Sequence, residues 1–235
     1  MANPYFKFKQ FTVYHDRCGM KVCTESCLFG GLLSQPEARH ALDIGSGTGL
    51  LSLMVAQRHP DLKIDAVEVD IPSYEQSLSN IGKSPFSEQI KVHRNRIQHF
   101  RPEKQYDWIF SNPPFFPHHL KSNDPSKRKA IHTDLLPFSD LMKAVVRLLK
   151  PTGTFELILP ERQYRDFKRM AELAGLHLQH AFVIYNAPGE PVFRIISQWR
   201  YDRAKAQTTS IYIKDKKGAY TPEFTLILKE YYLIF

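Results

Sequence analysis

The chain has 235 residues, enough for one domain of the larger kind whose core needs no disulfide or metal. Hydrophobic residues make up 43% and charged residues 24% of the sequence, which excludes a mostly disordered chain. The formal net charge of +8 favours attraction to a polyanion such as nucleic acid, but charge by itself assigns no function.

The first residues contain no apolar run that would serve as a signal peptide, and no later run is long and uncharged enough to span a bilayer. We therefore expect a cytoplasmic protein without a membrane partner. The cysteines, Cys18, Cys23 and Cys27, are odd in number and lack the paired short spacing of a zinc site. The sequence predicts reduced thiols and no metal.

From about residue 36, short apolar runs alternate with longer amphipathic runs, a pattern typical of strand and helix units around a parallel sheet. The predicted strands are 41–44, 64–69, 90–93, 108–110, 154–159, 181–185 and 193–201. The predicted helices are 50–58, 73–81, 138–149 and 163–174. We expect one domain over 1–235, with an N-terminal segment 1–35 before the α/β core 36–235.

Turn residues divide the second half of the chain. Lys150-Pro-Thr-Gly153 separates a helix from the next strand, and Asn186-Ala-Pro-Gly189 favours an antiparallel hairpin. Thr221-Pro222-Glu223 carries an N-cap residue, a proline at the first helical position and an early acid, so it predicts a closing helix. The segment 116–134 has neither strand nor helix signal, and long connections of this kind are commonly functional.

A glycine turn follows the first core strand and precedes a helix. It reads Asp43-Ile-Gly45-Ser-Gly47-Thr-Gly49, which places flexible backbone and free N–H groups where a nucleoside can approach. Leu50 stands where a dinucleotide fingerprint has its third glycine, so the pattern favours NAD less. A tight turn without a ligand is the other interpretation.

Glu68 stands at the end of the next strand, where a carboxylate can accept hydrogen bonds from ribose hydroxyls. Asp70 competes for that role, and a surface acid without function is the simpler alternative. Asp43 to Gly49 together with Glu68 resembles the S-adenosylmethionine site of class I methyltransferases. In that family the turn contacts the amino-acid part of the cofactor and the acid holds its ribose. Asn95 stands near the position where that family often carries an acid against the cofactor adenine.

Asn112-Pro113-Pro114-Phe115 directly follows an apolar strand, at the sheet edge where open α/β folds bind ligands. Two prolines that only terminate a strand are the structural alternative. An exocyclic amine is a poor nucleophile because its lone pair is delocalised into the ring. The Asn112 amide oxygen and the Pro113 carbonyl can accept its two hydrogens and stabilise the developing charge, while Phe115 stacks on the base.

This motif, two strand–helix units beyond the glycine turn, resembles that of amino-methyltransferases acting on adenine, cytosine or glutamine. The segments 11–13 and 20–30, the stretch Lys129-Ala-Ile-His132 and Tyr220-Thr-Pro-Glu-Phe224 resemble the family that methylates the adenosine beside the anticodon of a valine tRNA. The resemblance implies a Rossmann-like class I methyltransferase fold, a mostly parallel seven-stranded sheet with an antiparallel last strand and helices on both faces. It also implies S-adenosylmethionine as cofactor, tRNA as partner, a monomer, and cofactor contacts from Thr24 and Glu25, where the family usually has Thr-Asp.

The segment after the motif is rich in cations. Its candidate RNA-binding residues are Lys121, Lys127, Arg128, Lys129 and His132, near His118 and His119. Contacts to phosphate are their expected role, because backbone contacts fix the register while a pocket reads the base. A solvated surface loop is the alternative.

Three other functions stay open from the sequence. The same chemistry serves methylation of a protein glutamine or of DNA adenine. A second alternative is an RNA-binding protein that keeps the fold without catalysis, although Asn112 argues against it. An NAD-dependent oxidoreductase leaves the N-P-P-F motif unexplained.

Overall fold

The computed structural model describes residues 3–113 and 136–235. Phe115 and the candidate RNA-binding residues Lys121, Lys127, Arg128, Lys129 and His132 lie outside the described residues, as does the whole unpatterned segment 116–134.

The described strands are β1 (Tyr5–Lys7), β2 (Thr12–Tyr14), β3 (His40–Ile44), β4 (Lys63–Glu68), β5 (Ile90–Arg94), β6 (Tyr106–Ser111), β7 (Leu149–Leu159), β8 (His177–Tyr185), β9 (Val192–Arg200) and β10 (Gln207–Tyr212). The described helices are α1 (Thr24–Leu32), α2 (Leu50–Arg58), α3 (Ile71–Gly82), α4 (Phe138–Leu148), α5 (Glu161–Leu173) and α6 (Pro222–Leu228).

One sheet of eight strands organises the fold, in the order β10-β8-β9-β7-β6-β3-β4-β5. The pairs from β5 to β7 are parallel, β9 is antiparallel to both β7 and β8, and β10 is parallel to β8. The strands β3 to β6 therefore end at the same edge of the sheet, and the loops that follow them meet there.

The predicted α/β class, the parallel sheet and the β8–β9 hairpin are confirmed. The predicted count of seven strands is wrong, because β10 follows the antiparallel strand β9 and adds an eighth. The predicted antiparallel last strand is wrong too, since β10 is parallel to its neighbour β8. The sequence of β10 is mostly polar and only Ile211 is buried, as expected for an edge strand, so it lacks the apolar run that marks the others.

Apolar side chains pack on both faces of the sheet, because successive residues of a strand point to opposite sides. On one face, Leu53 and Met54 of α2 pack in the same cluster as Trp108 of β6. On the other face, Val145 of α4 and Phe167 of α5 pack in one cluster with the sheet. Helices on both faces are thus confirmed.

The turn predicted at Lys150-Pro-Thr-Gly153 marks the end of α4 but lies inside β7. Tyr106 pairs with Leu149, and Trp108 pairs with Thr154. Residues 150–153 therefore form a bulge in β7 between these two paired positions. Among the helices in the described part of the chain, none is long and apolar enough to cross a membrane.

Candidate active site

A cleft of about 1040 Å³ opens at the edge where β3, β4 and β6 end. Its walls come from the loop before α1, the glycine turn, the ends of β4 and β5, and the end of β6. The lining residues used below are Ser26, Gly45, Gly47, Glu68, Asp70, Asn95, Ile97, Asn112 and Pro113. A cleft of this volume can hold a ligand of nucleoside size together with part of a second ligand.

The glycine turn has left-handed backbone. Gly45 has φ 73° and Gly47 has φ 55°, and a methyl group built on either would meet no atom within 4 Å. The predicted free N–H groups are largely engaged within the turn: Gly45 and Ser46 donate to the Val67 carbonyl, and Gly49 donates to the Ser46 carbonyl. The turn therefore provides a ligand with open space beside its backbone, and it has few unpaired N–H donors.

Glu68 is tied to this turn by its carboxylate. Oε2 accepts the Gly47 N–H at 2.8 Å, and Oε1 accepts the N–H groups of Val69 and Asp70, each at 2.8 Å. The side chain is only 8% exposed yet lines the cleft. The oxygens of a carboxylate accept more than these three bonds, so capacity remains for a ligand hydroxyl.

Asp70, the competing acid, also lines the cleft and is the N-cap of α3. Its Oδ2 accepts the Ser73 N–H at 3.0 Å and the Ser73 hydroxyl at 2.7 Å, which caps the first turn of α3. Asn95 lies beside Glu68, since its N–H donates to the Glu68 carbonyl at 3.0 Å, and it lines the cleft with Ile97.

Four predicted cofactor residues do not belong to the lining formed by the described residues: Thr24, Glu25, Asp43 and Gly49. Asp43 is fully buried beneath the turn, where Oδ2 accepts the Ser52 hydroxyl at 2.7 Å and Oδ1 has no hydrogen-bond partner among the described residues. Burial raises the pKa of Asp43 to about 7, partly opposed by the Ser52 hydrogen bond. Its side chain fastens α2 to β3 below the cleft.

Gly49 is the N-cap of α2, with φ 80°, and it forms the last position of the glycine turn. Thr24 is the first residue of α1, and Glu25 turns its carboxylate to Arg194 of β9 at 3.0 Å. Both side chains of this ion pair are largely buried, at 17% and 20% exposed. This ion pair joins α1 to β9, and the contact of Glu25 with the cofactor stays a prediction.

Asn112 and Pro113 lie where the motif predicts, directly after β6. The Asn112 Nδ2 donates to Ser26 Oγ at 2.9 Å. Its Oδ1 is buried and has no hydrogen-bond partner among the described residues. A buried oxygen without a donor is costly in a folded protein, and such an atom in a cleft points to a ligand that supplies the hydrogen.

Ser26 is a site residue that sequence reasoning missed. It lies in α1 with 4% exposure, lines the cleft and holds the Asn112 amide. Its sequence neighbourhood, Thr-Glu-Ser-Cys-Leu, carries no motif that would single out the hydroxyl.

Comparison with known proteins gives two kinds of likeness. A family model described as methyltransferase small domain matches residues 19–172. The chain is 41% identical to the tRNA1(Val) (adenine(37)-N6)-methyltransferase of Phocaeicola vulgatus over 99% of both chains, and 40% identical to that of Trichodesmium erythraeum over 99% of both.

Solved structures share the fold at low sequence identity. A predicted O-methyltransferase from Agrobacterium tumefaciens aligns with a TM-score of 0.66 at 17% identity, over 87% of this chain and 95% of that one. A putative RNA methyltransferase from Pyrococcus horikoshii aligns with a TM-score of 0.52 at 18% identity, over 75% of this chain and 80% of that one. These likenesses support the fold alone.

Proposed function

Because the chain belongs to the methyltransferase small domain family and to the tRNA1(Val) (adenine(37)-N6)-methyltransferases, we propose that it methylates N6 of adenosine 37 in a valine tRNA. The predicted class of enzyme and its cofactor, S-adenosylmethionine, are confirmed by this membership. The identity of the substrate nucleoside rests on the names of the relatives.

The residues around the glycine turn fit the cofactor. The open space at Gly45 and Gly47 suits its amino-acid part, and the Glu68 carboxylate has the capacity to accept its ribose hydroxyls. Asn95 and Ile97 lie farther along the same wall and supply a polar and an apolar contact for a purine. When bound, the cofactor supplies an electrophilic methyl carbon on a sulfonium.

The unpartnered Oδ1 of Asn112 is the observation that carries the proposed chemistry. An amide oxygen held in this way accepts one hydrogen of the substrate amine and stabilises the positive charge that the nitrogen acquires. The Pro113 carbonyl is the proposed acceptor of the second hydrogen. Because Pro113 is buried and its φ is fixed by the ring, the acceptor needs little reorganisation.

The other functions explain less. An oxidoreductase leaves the Asn112 oxygen without a role, and a binding protein without catalysis needs no such acceptor. Methylation of protein glutamine or of DNA adenine uses the same acceptor, but the full-length relatives carry the tRNA name.

The tRNA itself requires contacts beyond the base pocket. We propose that Lys121, Lys127, Arg128, Lys129 and His132 contact its phosphates and that Phe115 stacks on the target base. We also propose that the enzyme acts as a monomer in the cytoplasm, where its tRNA substrate is found. Light scattering at micromolar concentration tests the monomer.

Methyl transfer to defined RNA tests the proposed function. The enzyme is incubated with S-adenosylmethionine labelled in its methyl group and with an unmodified valine tRNA transcript, and the RNA is digested to nucleosides. We expect label in N6-methyladenosine, and none from a matched transcript with guanosine at position 37. Equal labelling of the two transcripts contradicts the position, and labelling of DNA or protein in place of tRNA contradicts the substrate class.

A further inference from the structure

The catalytic use of Asn112 depends on which way its amide is turned. The oxygen accepts hydrogen bonds and the nitrogen only donates them, so a reversed amide would present N–H groups to the amine of the substrate. The two orientations have nearly the same shape, and packing alone does not choose between them. A hydrogen-bond partner with a fixed role must make the choice.

Ser26 is the partner of the Asn112 amide, with Oγ 2.9 Å from Nδ2. A serine hydroxyl both donates and accepts, so by itself it would tolerate either orientation of the amide. Its proton must therefore be engaged elsewhere. Cys23 Sγ lies 3.0 Å from the same Oγ and can take that proton.

The series continues from Cys23 to Glu25. Burial and, after it, the nearby Glu25 carboxylate raise the pKa of the Cys23 thiol, so the thiol keeps its proton at neutral pH. Glu25 is in turn paired with Arg194 at 3.0 Å. An ionised carboxylate accepts and never donates.

We propose that Ser26 is a positioning residue for methyl transfer, and that Asn112, Ser26, Cys23 and Glu25 form a hydrogen-bond chain of one direction. The carboxylate at its end accepts the thiol proton, the sulfur accepts the hydroxyl proton, and the hydroxyl oxygen accepts the amide proton. Each donated proton in the chain points toward Glu25. The Asn112 NH₂ group therefore faces Ser26, and its Oδ1 remains to accept a hydrogen bond from the substrate. The catalytic part of this inference rests on the proposed function.

This assignment gives Glu25 a role other than direct contact with the cofactor. Glu25 fixes the direction of the chain from the ion pair between α1 and β9. It acts on the reaction through Cys23, Ser26 and Asn112.

The test compares Ser26→Ala in two backgrounds. In the otherwise unchanged enzyme we expect the single-turnover rate of tRNA methylation to fall about tenfold, with the dissociation constant of S-adenosylmethionine unchanged. In Asn112→Asp the same substitution should cost nothing further, because a carboxylate presents an oxygen in either orientation. A Ser26→Ala enzyme as fast as the unchanged one, or an equal loss in both backgrounds, overturns the proposal.

A second readout needs no substrate. The side-chain NH₂ of Asn112 is followed by nitrogen-15 spectroscopy in the free enzyme and assigned by its loss in Asn112→Asp. We expect Ser26→Ala to speed exchange of its protons with water about tenfold or more, because their acceptor is gone. The control is Ser84→Ala, which removes a buried hydroxyl bonded to the Ile81 carbonyl outside the cleft. Unchanged exchange in Ser26→Ala contradicts the proposal.

Glu25→Gln keeps the size of the side chain but can donate, so it removes the fixed direction while Ser26 remains. We expect Glu25→Gln to lower the methylation rate of the otherwise unchanged enzyme. The same substitution should cause no further loss in Asn112→Asp.

If the unchanged enzyme methylates no tRNA, the proposed function fails. The exchange measurement still decides whether Ser26 holds the amide.

Discussion

The N–H of Gly47 donates to Oε2 of Glu68 at 2.8 Å, so one hydrogen bond joins the glycine turn after β3 to the end of β4. The other oxygen of Glu68 accepts the N–H groups of Val69 and Asp70. All three donors are backbone groups, which hold the carboxylate in place before any ligand arrives. The orientation of this acid is thus built into the fold.

Glu68→Gln should weaken binding of S-adenosylmethionine about 10- to 100-fold, as expected for losing hydrogen bonds to a charged group. The amide can satisfy the N–H donors on one side only, because its NH₂ group faces another N–H on the other side. Calorimetric titration of the free enzyme measures the effect. Asp70→Asn is the control, and since it keeps an oxygen for Ser73, affinity should change about twofold or less. A larger loss in the control assigns the ribose contact to Asp70.

Replacing Lys127, Arg128 and Lys129 together by alanine should weaken tRNA binding and flatten its dependence on salt. Each phosphate contact to single-stranded RNA contributes about 0.7 to the slope of log affinity against log salt, so the slope should fall by about 2. Binding titrations over a range of salt concentrations measure it, with cofactor affinity unchanged.

The matched control is the triple replacement of Arg39, Lys63 and Lys91, which lie at or next to the starts of β3, β4 and β5. Those cations are at the sheet edge opposite the cleft. An unaltered slope in the first variant, or the same decrease in both, refutes contacts from the loop.

We expect the buried carboxyl group of Glu156 to make the free energy of unfolding depend on pH. It is fully buried in β7, and burial raises its pKa to about 7, although hydrogen bonds from Gln35, Gln198 and Trp108 oppose the shift. Between about pH 4.5 and 7, the Glu156 carboxyl group is therefore protonated in the folded state and deprotonated in the unfolded state. The free energy of unfolding should fall as pH rises through this window, by about 3 kcal/mol at most from this group.

Glu156→Gln removes that titration and keeps an oxygen for the Trp108 N–H. Denaturant unfolding at several pH values should give a smaller decrease between pH 5 and 7 in this variant than in the unchanged protein. Glu103→Gln, at an exposed position, is the control and should keep the original pH dependence. Identical pH dependence in Glu156→Gln and the unchanged protein contradicts the shift.

The core of the fold was predictable because its elements carry strong local signals. Helix α2 begins and ends at the predicted residues, since left-handed Gly49 precedes a run of good helix formers. The predicted closing helix is present as α6, with the Thr221 hydroxyl accepting the Phe224 N–H. These signals need no tertiary context.

Helix α1 was missed for a physical reason. It is buried on nearly all sides and includes Gly30 and Gly31, so it shows neither an amphipathic period nor good helix propensity. The glycines allow close packing, since a methyl group on Gly30 would collide with Met54 and one on Gly31 with Ile227. Its existence depends on neighbours that the local sequence does not reveal.

The same limit applies to the candidate site. Motifs predicted the backbone positions of Gly45, Glu68 and Asn112 at the cleft, because turn and strand ends leave a local pattern. They did not predict that Glu25 would turn to Arg194 or that Ser26 would hold Asn112, contacts separated by 169 and 86 residues along the chain. Side-chain pairing across such distances is decided by packing.

Single-turnover methylation by Asn112→Ala tests the central claim most directly. Loss of the amide oxygen should lower the rate of N6-methyladenosine formation about 100- to 1000-fold, the cost of removing one preorganised polar group from a transition-state site. Affinity for S-adenosylmethionine should stay within about twofold, because the cofactor residues are unchanged. An Asn112→Ala enzyme that methylates the tRNA at the rate of the unchanged protein would contradict the account.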